Sequence, residues 1–134
     1  MRSHPRRGGA ALEFALVLPI LLVLVVGIIE YGWLFLQQSN VLSAVREGTR
    51  LGVTYATDDS PDPPTAAEAS VQARLTSYGF DTSTATIDAV YEGASPEQML
   101  RVTCSVPYQP LIGFRIAVPE NLTGSMTMLL EVQD

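Results

Sequence analysis

The chain has 134 residues, 47% hydrophobic and only 16% charged, with eight arginines, no lysine and fourteen acids for a net charge of −6. Cys104 is the single cysteine and His4 the single histidine, so an internal disulfide, a Cys/His zinc site and a histidine-based triad all lack the residues they need. An acidic chain without clustered cations also has no electrostatic footprint for phosphates, and no nucleic-acid partner is expected.

The first twelve residues carry Arg2, Arg6 and Arg7 and no acid, whereas residues 31–134 carry five arginines and twelve acids. Between these regions, Phe14 to Ile29 is free of charge, and apolar character resumes after Glu30 as far as Leu36. Phe14 to Leu36 would form a helix of roughly 35 Å, enough to cross a hydrocarbon core of about 30 Å. Glu13 and Glu30 are about 26 Å apart along that helix, so each can sit near one face of the core. Tyr31 and Trp33 follow where an aromatic belt belongs, and the basic start puts the N-terminus in the cytoplasm and the acidic remainder outside. A cleaved secretory signal fits poorly: the apolar segment is long, no A-x-A site follows it, and Arg6-Arg7 is followed by Gly-Gly. Pro19 removes one helical hydrogen bond, which predicts a kink or a loosened turn, although membrane helices also tolerate proline. Glu30 reads as a functional group or as a residue reaching the interface.

Helical spacing continues beyond the membrane. Val41, Ala44, Val45, Gly48, Leu51, Gly52 and Tyr55 recur at i+3 and i+4 and mark one apolar face. Ala44, Gly48 and Gly52 let another backbone approach, and a strand or helix of the C-terminal part is expected to pack there. Arg46 and Arg50, with Glu47 between, lie on another face; they would bridge to a partner subunit, pair with the acidic remainder, or stay solvated. One helix from Gly9 to Tyr55 would be near 70 Å long.

Residues 57–64, TDDSPDPP, end this helix. Asp58, Asp59 and Asp62 supply too few ligands for a calcium loop. Thr65-x-x-Glu68 reads as a capping box for a short helix over 66–78, with a stripe of Ala67, Val71 and Leu75 and Gly79 as its C-terminal stop. Three strands should follow: Thr86–Tyr91, Met99–Tyr108 with Leu100, Val102, Cys104 and Val106 inward, and Leu122–Gln133 with Leu122, Met126, Met128, Leu130 and Val132 on one face. Gly93–Gln98 is a hairpin loop. The expected class is α+β, a small antiparallel sheet lying on the long helix. Cys104 should be a buried small hydrophobe. Pro110–Pro119, which includes Leu111, Ile112, Phe114 and Ile116, carries enough apolar surface either to contact a neighbouring protein or the membrane or to fold over the sheet edge. Asn121-Leu-Thr123 matches a glycosylation acceptor. No phosphate loop, nucleophile elbow or metal-ligand cluster stands out, so no enzyme, metal or cofactor is expected.

Residues 6–14, RRGGAALEF, together with LEFALVLPILLVLVVGIIEYG and AVREGTR, resemble the TadE-like minor pseudopilin family of tight-adherence (Tad, type IVc) pilus systems. The departures from the family pattern, Val45 and Thr49 for alanines, are small. The resemblance implies a precursor cut between Gly8 and Gly9 by a prepilin peptidase. Glu13 and Phe14 would then be the fifth and sixth mature residues, with Glu13 meeting the N-terminal amine of a neighbouring subunit. It implies local melting at Pro19, and for Glu30 a pairing with a partner's cation. It also implies a domain order of leader (1–8), membrane and spine helix (9–55) and extracytoplasmic head (56–134). The implied partners are other pseudopilins, the major pilin, an inner-membrane assembly platform and membrane lipid, in a pilus serving adhesion, biofilm or secretion. The alternative is an uncleaved single-pass anchor presenting a small binding domain.

Overall fold

A computed structural model describes residues 7–55, 62–94, 97–113 and 118–130. The expectations for Asp58, Asp59, Phe114, Ile116 and Val132 lie outside the described residues. Helix α1 (Arg7–Tyr55) is 49 residues long, about 74 Å, and continuous through Pro19. Helix α2 (Pro63–Ser77) is followed by a 3-10 turn over Thr82–Thr84 and strands β1 (Thr86–Glu92), β2 (Met99–Pro107) and β3 (Asn121–Leu129). The strands form one antiparallel sheet in the order β1-β2-β3, giving the expected α+β layout.

The α2 boundary differs from expectation. The helix opens three residues early, at Pro63, with Asp62 at the N-cap and no side-chain cap bond. Proline at the first helical position needs no donor and presets φ, so the Pro63-Pro64 pair wins over the Thr65/Glu68 box. Glu68 instead accepts the Ala89 amide at 3.1 Å and so covers part of the free edge of β1. Asp62 is occupied elsewhere, accepting from the Tyr91 hydroxyl at 3.1 Å. The C-terminal stop is as expected. Gly79 takes φ +84°, its amide bonds the Thr76 carbonyl, and the Phe80 amide returns to Leu75, with both Phe80 and Leu75 buried.

The hairpin β1–β2 pairs Ile87 with Cys104 and Glu92 with Met99, so Gly93–Gln98 is its loop, as the sequence suggests. The alternation places Leu100, Val102, Cys104 and Val106 of β2 and Leu122 of β3 on the buried face. That face meets Val41, Ala44 and Val45 of α1 and Ala67, Val71 and Leu75 of α2 in one core. Each fully buried leucine or valine in it stabilises by about 1.5–3 kcal/mol relative to exposure. The glycines of α1 explain how close the layers come. A Cβ at Gly52 would stand 2.6 Å from Leu100 Cδ2 and 2.9 Å from both Ala67 Cβ and the Pro63 carbonyl, while one at Gly48 would collide with Val71. Across the core, Gly124 of β3 lies directly against Val41 and Val45. Tyr55, expected on the apolar face, is exposed instead.

Candidate functional site

Two stretches of α1 carry the candidate residues. The first is its N-terminal part. Gly8 and Gly9 lie in the opening turn, and Glu13, Phe14 and Pro19 are all exposed. Because α1 begins at Arg7, Glu13 falls in the second turn and no acid occupies the first. In the untrimmed chain Glu13 therefore gains little from the helix dipole, since that effect fades within a turn. From Leu12 to Ile29 no residue is buried, and the segment is apolar throughout apart from Glu13. This helix is long and apolar enough to cross a membrane.

The second stretch is the neck, where the helix meets the head. Glu30 is 2% exposed. Its Oε1 accepts from the Tyr108 hydroxyl at 2.9 Å and from the Leu111 amide at 3.1 Å, and its Oε2 accepts from the Ile112 amide at 3.0 Å. One turn and two turns further on, Trp33 Nε1 and Gln37 Nε2 both donate to the Gln109 carbonyl, at 3.0 and 2.9 Å. Glu30, Trp33 and Gln37 thus hold the loop after β2 through five hydrogen bonds, spaced i, i+3 and i+7 on one helix face. The two oxygens of Glu30 are engaged by the chain's own head. A carboxylate accepting from two amides and a phenol exchanges its hydration for charge-assisted bonds, the condition under which a buried charge is tolerated. The Tyr108 hydroxyl is pushed up to about 12, by its burial first and then by the hydrogen bond to Glu30 and that group's charge.

Beside the neck, a cavity of about 140 Å³ lies between Trp33, Gln37 and Asn40 of α1 and Tyr78–Phe80 after α2. Gln37 Oε1 is buried there without a hydrogen-bond partner among the described residues. Further up the helix, Arg50 pairs with Glu47 at 3.2 Å, and Glu47 also meets Arg74 of α2 at 3.7 Å. Arg46 is exposed. Cys104 is buried as expected, and burial pushes its thiol up to about 11, which leaves it unreactive at neutral pH. Among the described residues no cluster of histidine, cysteine and acidic side chains could hold a metal ion.

Residues 8–50 match the family model of TadE-like proteins. The TadE-like segment begins at Gly8, where cleavage is expected, includes Glu30, and ends at Arg50, within the part of α1 that meets the head. It associates the chain with Tad pilus systems. The head from α2 onward lies outside the match. No curated protein and no solved structure matches the chain.

The Glu30 clamp is the feature that sequence reasoning missed. The signal was present: Glu30, Trp33, Leu34 and Gln37 continue downward the same stripe that Val41, Ala44, Val45 and Gly48 form above.

Proposed function

We propose that this chain is a minor pseudopilin that takes part in initiating or capping a Tad pilus, and that it has no catalytic role. It is made as a single-pass precursor in the bacterial inner membrane, with Arg2, Arg6 and Arg7 in the cytoplasm and the acidic head outside. A prepilin peptidase trims it after Gly8. The mature helix then leaves the bilayer laterally to pack among the helices of other pseudopilins and the major pilin at the assembly platform.

One observation carries this reading: the TadE-like segment opens at Gly8 and runs into an apolar half-helix that the chain's own head leaves uncovered. A half-helix of this kind serves equally in lipid and in a bundle of like helices. Exposed Glu13 offers a carboxylate to the new N-terminal amine of a neighbour, which would neutralise two groups costly to bury singly. Gly8 and Gly9 suit the cut as well. Each weakens a helix by about 1 kcal/mol relative to alanine, so the first turn opens readily for a peptidase.

The test is the intact mass and N-terminal sequence of the protein from its native host, with and without the prepilin peptidase. A chain starting at Gly9 only when the peptidase is present, and a Gly8→Arg variant that stays uncut and fails to support piliation, are the expected results. An untrimmed chain that still supports piliation would leave an anchored binding module as the better reading.

A further inference from the structure

We propose that the neck of this protein is a lipid-binding collar: the loop carrying Leu111 and Ile112, held down by Glu30, seats the head on the outer face of the bilayer. The inference rests on α1 crossing a membrane, which the proposed function shares, but not on trimming or pilus assembly.

Depth is the first argument. The amides of Leu111 and Ile112 lie 3.1 and 3.0 Å from the Glu30 carboxylate, so this loop is level with the residue that ends the charge-free run. Glu13 and Glu30 are about 26 Å apart along the helix, close to the hydrocarbon thickness of about 30 Å. With Glu13 at the inner boundary, Glu30 and the loop reach the outer one. There the Leu111 and Ile112 side chains remain about half exposed, 53% and 52%, although an apolar pair on a water-facing loop gains nothing from that exposure.

The backbone supplies the second argument. An irregular loop entering the edge of the apolar zone must have its amides and carbonyls paired, at several kcal/mol for each group left unpaired. Both amides at the tip are bonded by Glu30, and the Gln109 carbonyl takes two donors from α1. A carboxylate buried at this level has a use here that it lacks in a plain water-facing turn: it lowers the polar cost of placing the loop in lipid.

The rest of the circumference is the third. At 100° per residue, Tyr31 and Phe35 lie about 100° and 140° round the helix from Glu30, and Leu36 about 120° round the other way. All three are exposed, Phe35 at 70%, within about 9 Å above Glu30. The headgroup layer on each face is of similar thickness. Loop, aromatics and leucine together ring the helix with apolar surface over these roughly 9 Å, continuous with the span below. In the membrane-inserted chain, that continuity and the depth of the loop make lipid the occupant. Leu111, Ile112, Tyr31, Phe35 and Leu36 are uncharged, so their attraction is to the acyl boundary.

The test uses the full chain in phosphatidylethanolamine/phosphatidylglycerol vesicles containing lipids spin-labelled near the glycerol backbone. An environment-sensitive fluorophore is placed in turn at Ile112→Cys, at Leu21→Cys in mid-span, and at Thr127→Cys beside the far end of the sheet. Buried Cys104 does not compete for the label. Ile112 should be quenched several-fold more than Thr127, independently of the protein-to-lipid ratio and of the phosphatidylglycerol content, and Glu30→Ala should reduce that quenching. Quenching at Ile112 no greater than at Thr127, with Leu21 embedded, overturns the collar while leaving the span intact. A shielded Ile112 that responds to protein concentration and not to lipid quencher overturns it in favour of a second copy. Leu21 lying outside the acyl region overturns the collar together with the membrane reading of α1. The first two of these outcomes leave the span and trimming at Gly8 untouched, whereas the third also overturns the single-pass precursor, so failure of the collar and failure of the pseudopilin reading remain distinct.

Discussion

The two halves of α1 obey different rules within one unbroken helix. Below Glu30, side chains such as Leu16, Ile20 and Ile28 are each more than 60% exposed, and a Cβ added at Gly27 would meet nothing within 4 Å. Above it, Val41, Ala44 and Val45 are fully enclosed, and the backbone at Gly48 and Gly52 leaves no room for a methyl group. The lower half needs only to be apolar, and any partner of like chemistry will serve it. The upper half is matched to one partner, its own head. Glu30 stands at the changeover and is the residue whose loss should separate the halves most sharply.

Glu30→Ala would strand the Tyr108 hydroxyl and two loop amides in a buried place, at a cost of about 3–5 kcal/mol. Denaturation of the full chain in detergent should show this loss, with hydrogen exchange accelerating first at Leu111 and Ile112. Ile20→Ala, in the lower half, should leave the unfolding of the head unchanged. Equal effects of the two variants would mean that the halves are not separate in the way their contacts suggest.

Tyr108→Phe sharpens the same contrast. It removes a hydrogen bond to a charged group, about 1.5–3 kcal/mol. It also removes a pH dependence. The Tyr108 hydroxyl is pushed from 10.0 up to about 12 in the folded chain, so the fold favours the protonated phenol. That stability is fully present below the unfolded value, 10.0, and is lost as the pH rises through the folded one, because the unfolded chain then binds fewer protons than the native one. The wild-type head should therefore lose stability between about 10 and about 12, and the phenylalanine variant should lose less of it over the same window. Parallel pH profiles for the two proteins would contradict the environment described for Tyr108.

Gly52→Ala should destabilise the head by about 1–3 kcal/mol through overpacking against Leu100, Ala67 and the Pro63 carbonyl. Gly32→Ala, with open space around its Cβ position, should not. Urea midpoints compare the pair directly.

The same division governs what the sequence makes legible. The upper half of α1, the alternation of β2, the Gly79 stop and the length of the β1–β2 hairpin are set by periodicity or by one decisive residue, so each can be read locally. The start of α2 was misread because two local signals competed, and the conformational preference of the proline pair outweighed the Thr65/Glu68 box. The Glu30 clamp needed long-range information. Tyr108 and Ile112 are 78 and 82 residues away in sequence, and nothing near Glu30 announces them. Its place on the head-facing stripe was available, but a carboxylate beside an apolar run is more readily taken as the end of a membrane span than as the base of a packed face.

The smallest expected effect concerns the arginines. Arg50 is exposed and pairs with Glu47 three residues earlier, and Glu47 also lies near Arg74. Pairs of this kind contribute about 0–1 kcal/mol, because solvent screens them and ordering two long side chains costs entropy. Glu47 keeps Arg74 as a neighbour when Arg50 is removed, so Arg50→Ala should shift head stability by no more than about 0.5 kcal/mol. Arg46→Ala should be silent as well, since its side chain is exposed. Both arginines point away from the core, toward whatever stands beside the spine in an assembly. Loss of piliation by Arg46→Ala or Arg50→Ala at unchanged unfolding midpoint would assign that face to a partner subunit. Full piliation in both would leave it as solvated surface and put the burden of assembly on the lower half of α1, where a charge at Ile20 should then be the damaging change.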